Sequence, residues 1–104
     1  MSRQSTGVSE KVDTILQEEI AFPSKYKVLV HNDNTTTYQC VIDILQYVFH
    51  MTFDQAMDLA TKIDKSGKGV AGIYTQEIAD EKVTEATLIA RSQGFPLLIT
   101  KEEL

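Results

Sequence analysis

The sequence predicts an α+β fold, a two-layer sandwich of three strands and three helices in the order β-α-α-β-α-β. Three observations carry this. Tyr26, Val28 and Val30 alternate with Lys27, Leu29 and His31, which is the period of a half-buried strand. Threonine followed three residues later by glutamine occurs at Thr36/Gln39 and again at Thr52/Gln55, each just before an apolar stripe of helical spacing. Three short strands with so few helices cannot be covered on both faces, so the helices pack on one side of the sheet.

The elements follow in order. After the first strand, Asn32-Asp33-Asn34 tolerates left-handed backbone and bonds its own main chain, forming a polar elbow. A first helix runs from about Thr37 to Phe49, with Tyr38, Val41, Ile42, Leu45, Val48 and Phe49 on one face. Thr52 and Gln55 open a second helix, to about Lys65, whose stripe is Phe53, Ala56, Met57, Ala60, Ile63 and, out of character, Asp64. Lys65-Ser66-Gly67-Lys68-Gly69 is a helix stop with Gly67 in the left-handed position, and it lacks the spacing of a phosphate loop. Val70–Tyr74 forms a strand in which Gly72 marks a bulge or a close approach. Thr75 caps a third helix with Ile78, Ala79, Val83, Ala86, Ile89 and Ala90 inside. Gly94 ends it, Phe95–Thr100 makes the last strand, and Lys101–Leu104 is an exposed acidic end.

Composition bounds the function. The 104 residues make one domain able to bury a core, and the 42% apolar and 24% charged fractions are ordinary for a soluble globular protein. A net charge of −5 without a Lys/Arg cluster argues against nucleic acid. No apolar run suits a membrane, and no signal-peptide pattern appears. One cysteine, Cys40, cannot form an internal disulfide, which points to a reducing compartment, the cytoplasm or an organellar stroma. Residues 1–24, rich in Ser, Gln and Glu, read as a flexible tail carrying one weak apolar stripe, and residues 25–104 as the folded core.

Catalytic and metal readings find little. Two histidines and one cysteine form no recognisable constellation, so neither an enzyme nor a metal or other cofactor is expected. Asp64 is the informative residue. A carboxylate in line with an apolar stripe, near a helix C-terminus whose dipole opposes it, either reaches water at the rim or meets a cation brought by a ligand. The elbow in turn sets amide and carboxylate groups at the mouth of an apolar layer.

With these pieces assembled, the chain resembles the ClpS family, adaptors that carry N-end-rule substrates to Clp ATPases. The resemblance spans Tyr26 to about Thr100, through YKVLVHNDN, VIDIL at Val41–Leu45, GKGVAGIYTQEIADEKV at Gly67–Val83 and FPLL at Phe95–Leu98. It implies an antiparallel sheet and a monomer that grips the free α-ammonium group and the large apolar side chain of a substrate's first residue. The amine-binding positions correspond to Asn32, Asn34 and Asp64. At the latter two the family has an aspartate and a histidine, so a single carboxylate is kept but moved from the elbow to the helix end. The side-chain pocket corresponds to Val30, Thr36, Tyr38, Val41, Ala60, Ile63 and Leu97. Tyr38 and Ala60 stand where the family commonly has methionine, which implies a reshaped pocket. Glu77 and Lys82 match the surface that docks on the N-domain of a ClpA- or ClpC-type ATPase, and the tail matches the segment needed for substrate handover. The missing histidine supports an alternative, a ClpS-like regulator that docks on the chaperone without reading N-termini.

Overall fold

The computed structural model describes residues 24–104. The expected tail, residues 1–24, therefore lies outside the described residues except for Ser24. Strands β1 (Lys25–His31), β2 (Lys68–Thr75) and β3 (Leu98–Glu103) form an antiparallel sheet in the order β2-β1-β3. Helices α1 (Tyr38–Tyr47), α2 (Phe53–Ser66) and α3 (Gln76–Ser92) complete the predicted order. Helix α3 lies across all three strands, α2 sits beside β2, and α1 packs against both other helices. Val28 and Val30 send their side chains from the central strand into a core with Ile44, Leu45, Ile63 and Leu97.

The helix starts differ from expectation at two places, the milder being Thr75, which stands at the N-cap of α3 but makes no side-chain capping hydrogen bond. Thr37, not Thr36, caps α1, its hydroxyl oxygen accepting from the Cys40 N–H at 3.1 Å. Thr36 is already committed, donating its hydroxyl to Asp33, and Gln39 turns to Asp43, so no capping box forms. At α2 the box is complete: Gln55 N–H donates to the Thr52 hydroxyl oxygen and Thr52 N–H to the Gln55 side chain. Gly67 (φ 97°) ends α2 in the left-handed conformation that lacks a Cβ penalty.

Strand positions diverge in two ways. The β1–β2 register slips between Val28 and Leu29, leaving Ala71 as the extra residue of a bulge. The Tyr74 ring fills the space beside Gly72, where a Cβ would come 2.6 Å from the Tyr74 Cε2 atom, so the glycine marks both a bulge and a close approach. The last strand begins at Leu98 and runs through the supposed acidic end to Glu103. Phe95 and Leu97 are held out of it by Arg91, whose guanidinium donates to their carbonyls at 3.0 and 2.8 Å. In α2, Ala56, Ala60 and Ile63 are buried, while Phe53 and Met57 turn outward.

Candidate functional site

The elbow after β1 and the C-terminal turn of α2 enclose a cleft of about 280 Å³. Its mouth is formed by Asn32, Asp33, Asn34 and Asp64, its walls by Thr36 and Tyr38, and its floor by Val41, Ala60 and Ile63. Wider depressions exist among the described residues, such as one of about 500 Å³ between α1 and α3; what marks this cleft is that its amide and carboxylate groups stand over the buried Val41, Ala60 and Ile63.

Local hydrogen bonding explains the elbow's shape. One carboxylate oxygen of Asp33 accepts from the Thr35 and Thr36 N–H groups, both at 2.7 Å, and the other accepts the Thr36 hydroxyl at 2.8 Å. This is an Asx-type turn, in which a side chain replaces main-chain partners. Burial pushes the Asp33 carboxyl up. The two N–H bonds, the Thr36 hydroxyl and the nearby Arg91 guanidinium outweigh that and hold it below the ordinary value of 3.8. Sequence reasoning passed over Asp33 as one of three similar turn formers. The usable signal was an aspartate followed two and three residues later by threonines whose N–H groups lack helix partners.

The two halves of the cleft are fastened together, because the Asn32 N–H donates to the Gly67 carbonyl at 2.8 Å. Asp64, on the turn just before Gly67, is thereby set facing the elbow. It is solvent-exposed, and among the described residues it makes no ion pair and no hydrogen bond. The side-chain amides of Asn32 and Asn34 are likewise unengaged there. One free carboxylate and two amide oxygens thus converge above an apolar floor, an arrangement able to accept the three N–H bonds of a primary ammonium group.

Of the expected pocket residues, Thr36, Tyr38, Val41, Ala60 and Ile63 line the cleft, and Tyr38 stands 43% exposed at its edge. Val30 and Leu97 do not line it. They lie in the core at 0% and 1% exposure, because the inward positions of a central strand and of the segment before β3 are already covered. Glu77 and Lys82 both lie on α3 but border different depressions. Glu77 is exposed in the first turn. Lys82 has an unforeseen structural part, donating from Nζ to the Val48 carbonyl at the end of α1 (2.8 Å) while lying 5.7 Å above the Tyr74 ring.

The remaining reactive side chains sit elsewhere. His31 pairs through Nε2 with the Thr100 hydroxyl at 2.8 Å, and His50 adopts φ 59° in the turn after α1. Cys40 is a free, buried thiol, pushed up by burial and then by the Asp43 and Asp33 carboxylates, and so kept protonated. Among the described residues no group of His, Cys, Asp or Glu side chains could hold a metal, and no helix is long and apolar enough to cross a membrane.

Comparison with known proteins fits this geometry. Residues 21–100 match the family model described as "ATP-dependent Clp protease adaptor protein ClpS". The ClpS adapter of Lawsonia intracellularis is 44% identical over 92 residues, covering 88% of this chain and 84% of that one. That of Oleidesulfovibrio alaskensis is 36% identical over the full length of both chains, 104 residues. Agrobacterium tumefaciens ClpS2, solved bound to L-phenylalaninamide, superimposes with a TM-score of 0.78 at 32% identity, covering 80% of this chain and all of that one. The chain belongs to the ClpS family of Clp protease adaptors, which are not enzymes.

Proposed function

We propose that the elbow cleft holds the first residue of N-degron substrates and that the protein delivers them to a Clp ATPase. The observation that carries this is Asp64, a carboxylate with no partner among the described residues, facing the amides of Asn32 and Asn34 across a floor of Val41, Ala60 and Ile63. The ammonium group binds Asp64 through a charge-assisted hydrogen bond contributing about 1.5–3 kcal/mol. The first side chain enters beneath it, past Tyr38. The Agrobacterium relative supports the reading, since its ligand combines a free amine with a benzyl side chain. A tyrosine gate opposite the small Ala60 gives this pocket its own shape, and with it a particular choice among bulky apolar first residues.

Fluorescence anisotropy with peptides differing only in the first residue tests the proposal. Peptides with a bulky apolar first residue bind, their N-acetylated forms do not, and Asp64→Ala weakens binding about tenfold or more, one decade being about 1.4 kcal/mol. Absence of binding by every free-amine peptide would leave the protein a docking regulator. Binding that survives acetylation would show the clamp to be elsewhere. Delivery is tested by co-purification with a Clp N-domain, where Glu77→Arg serves better than replacing Lys82, which also holds the end of α1.

A further inference from the structure

The sheet has two faces, and only one of them feeds the core. Val28 and Val30 of β1 join the helices there, whereas Leu29, which alternation points the other way, is 6% exposed yet stands outside that core. Strand pairing fixes its company on the outer face. Leu29 sits between Val70 and Thr100, His31 between Lys68 and Leu98, and Lys27 between Ile73 and Glu102. Val70 is 41% exposed, Leu98 52% and Ile73 53%. Scattered exposed apolar side chains are ordinary, but here three large ones surround a buried leucine as one patch.

Charge on this face runs against that of the whole chain. Lys27 is paired with Glu102 at 3.6 Å, while Lys25 at one end of the face and Lys68 at the other join no ion pair among the described residues. Two uncompensated cations therefore flank the patch in a protein of net charge −5. A second copy of the chain would set the same cations against them; an apolar segment carrying carboxylates meets both the patch and its ends.

The chain holds such a segment next to the face. Residues 12–22, which lie outside the described residues, read VDTILQEEIAF. Val12, Ile15, Leu16 and Ile20 recur at the helical interval, and the only charges are Asp13, Glu18 and Glu19. The segment leads through Pro23 and Ser24 into Lys25, the first residue of the central strand. Proline disfavours helix in the residue before it, which suits a reversal at this point. Ten helical residues span about 15 Å. The seven residues of β1 span about 23 Å, so a segment folded back along the strand fits within the face.

We propose that residues 12–22 seat on the outer face of the sheet, their apolar stripe over Leu29, Val70 and Ile73 and their carboxylates toward Lys25 and Lys68. The proposal goes beyond the amine clamp and the ATPase contact and depends on neither. A segment seated there is withheld from any partner until that partner's grip exceeds the seat's, and salt loosens it.

A nitroxide on Gln17→Cys, off the apolar stripe, tests this by broadening nearby amide signals in the full chain; the buried Cys40 takes no label. At low salt the Leu29, Val70 and Ile73 amides lose about half their intensity or more, while those of Ala86 and Ala90 in α3 keep theirs. High salt restores part of the loss. Val70→Lys with Ile73→Lys abolishes the broadening, and so does Ile15→Ser with Leu16→Ser, a pair that touches no residue of the described fold. The proposal is overturned if the parent shows no broadening at low salt, if broadening spreads evenly over both layers, or if either pair leaves it unchanged. It is overturned as well if broadening persists when nitroxide and isotope are carried by different molecules, since the occupant is then a second copy.

Discussion

The elbow cleft and the α1–α3 groove are both concave, yet they are assembled from opposite ingredients. The cleft is made by one short polar stretch folded on its own carboxylate, plus one turn of α2 fastened to it. The groove is made by two helices far apart in sequence, whose long side chains leave a gap where they meet. In the cleft the acid is free and the apolar part is the floor. In the groove the apolar side chains stand up among the Asp43 and Glu85 carboxylates and the Lys82 side chain. One surface is shaped to receive a point charge, the other presents an area of mixed sign.

The sharpest way to break this contrast is Ile63→Ala. Ile63 is 2% exposed and belongs both to the core and to the cleft floor. The truncation costs about 2–5 kcal/mol in urea unfolding and weakens peptide binding, while leaving N-domain binding intact at temperatures where the fold persists. Loss of N-domain affinity in step with peptide affinity would mean the two surfaces are not independent.

A smaller effect is expected from Asp33→Ala, which frees two N–H groups and a hydroxyl in a partly exposed turn and costs about 1–2 kcal/mol. Because the folded Asp33 carboxyl titrates below its ordinary value of 3.8, its contribution is fully present above that value and fades as pH falls through the folded one. Parent and variant unfolding curves therefore stay apart above about pH 5 and converge under acid. Equal separation at every pH would show that the carboxylate charge contributes nothing. Peptide affinity falls too, since the elbow loses its shape.

Lys82→Met removes a donor from the Val48 carbonyl and costs about 1 kcal/mol, read as a lower thermal midpoint. It disturbs the groove and not the cleft, so N-domain binding moves and peptide binding does not. The mildest test is alkylation of Cys40 by iodoacetamide. The buried, protonated thiol reacts in denaturant and hardly at all in the folded protein.

Much of the fold was legible because period and punctuation agreed. Val28 and Val30 alternate, Thr52 with Gln55 announces α2, and Gly67 ends it. Errors arose where one local signal had two outlets. Thr36 and Thr37 are both adequate caps, and the choice was made by Asp33, which occupies Thr36. Phe95–Leu98 is apolar enough for a strand, yet the Arg91 guanidinium holds its carbonyls aside until Leu98 meets His31. In the cleft, the elbow amides and Asp64 were legible as an anomaly of polarity. The depth of Val30 and Leu97 was not, because alternation marks an inward side chain without saying whether a cavity or another side chain lies beyond it. The groove left no trace in the sequence, as it depends on the approach of α1 to α3.

The single hydrogen bond from the Asn32 N–H to the Gly67 carbonyl has a kinetic consequence. It rivets the jaw that carries the amides to the jaw that carries Asp64, so under the proposed function an arriving N-terminus meets a gauge already set to its final width. Peptide capture should then follow one exponential whose rate climbs steadily with concentration, without the plateau that a closing step would impose.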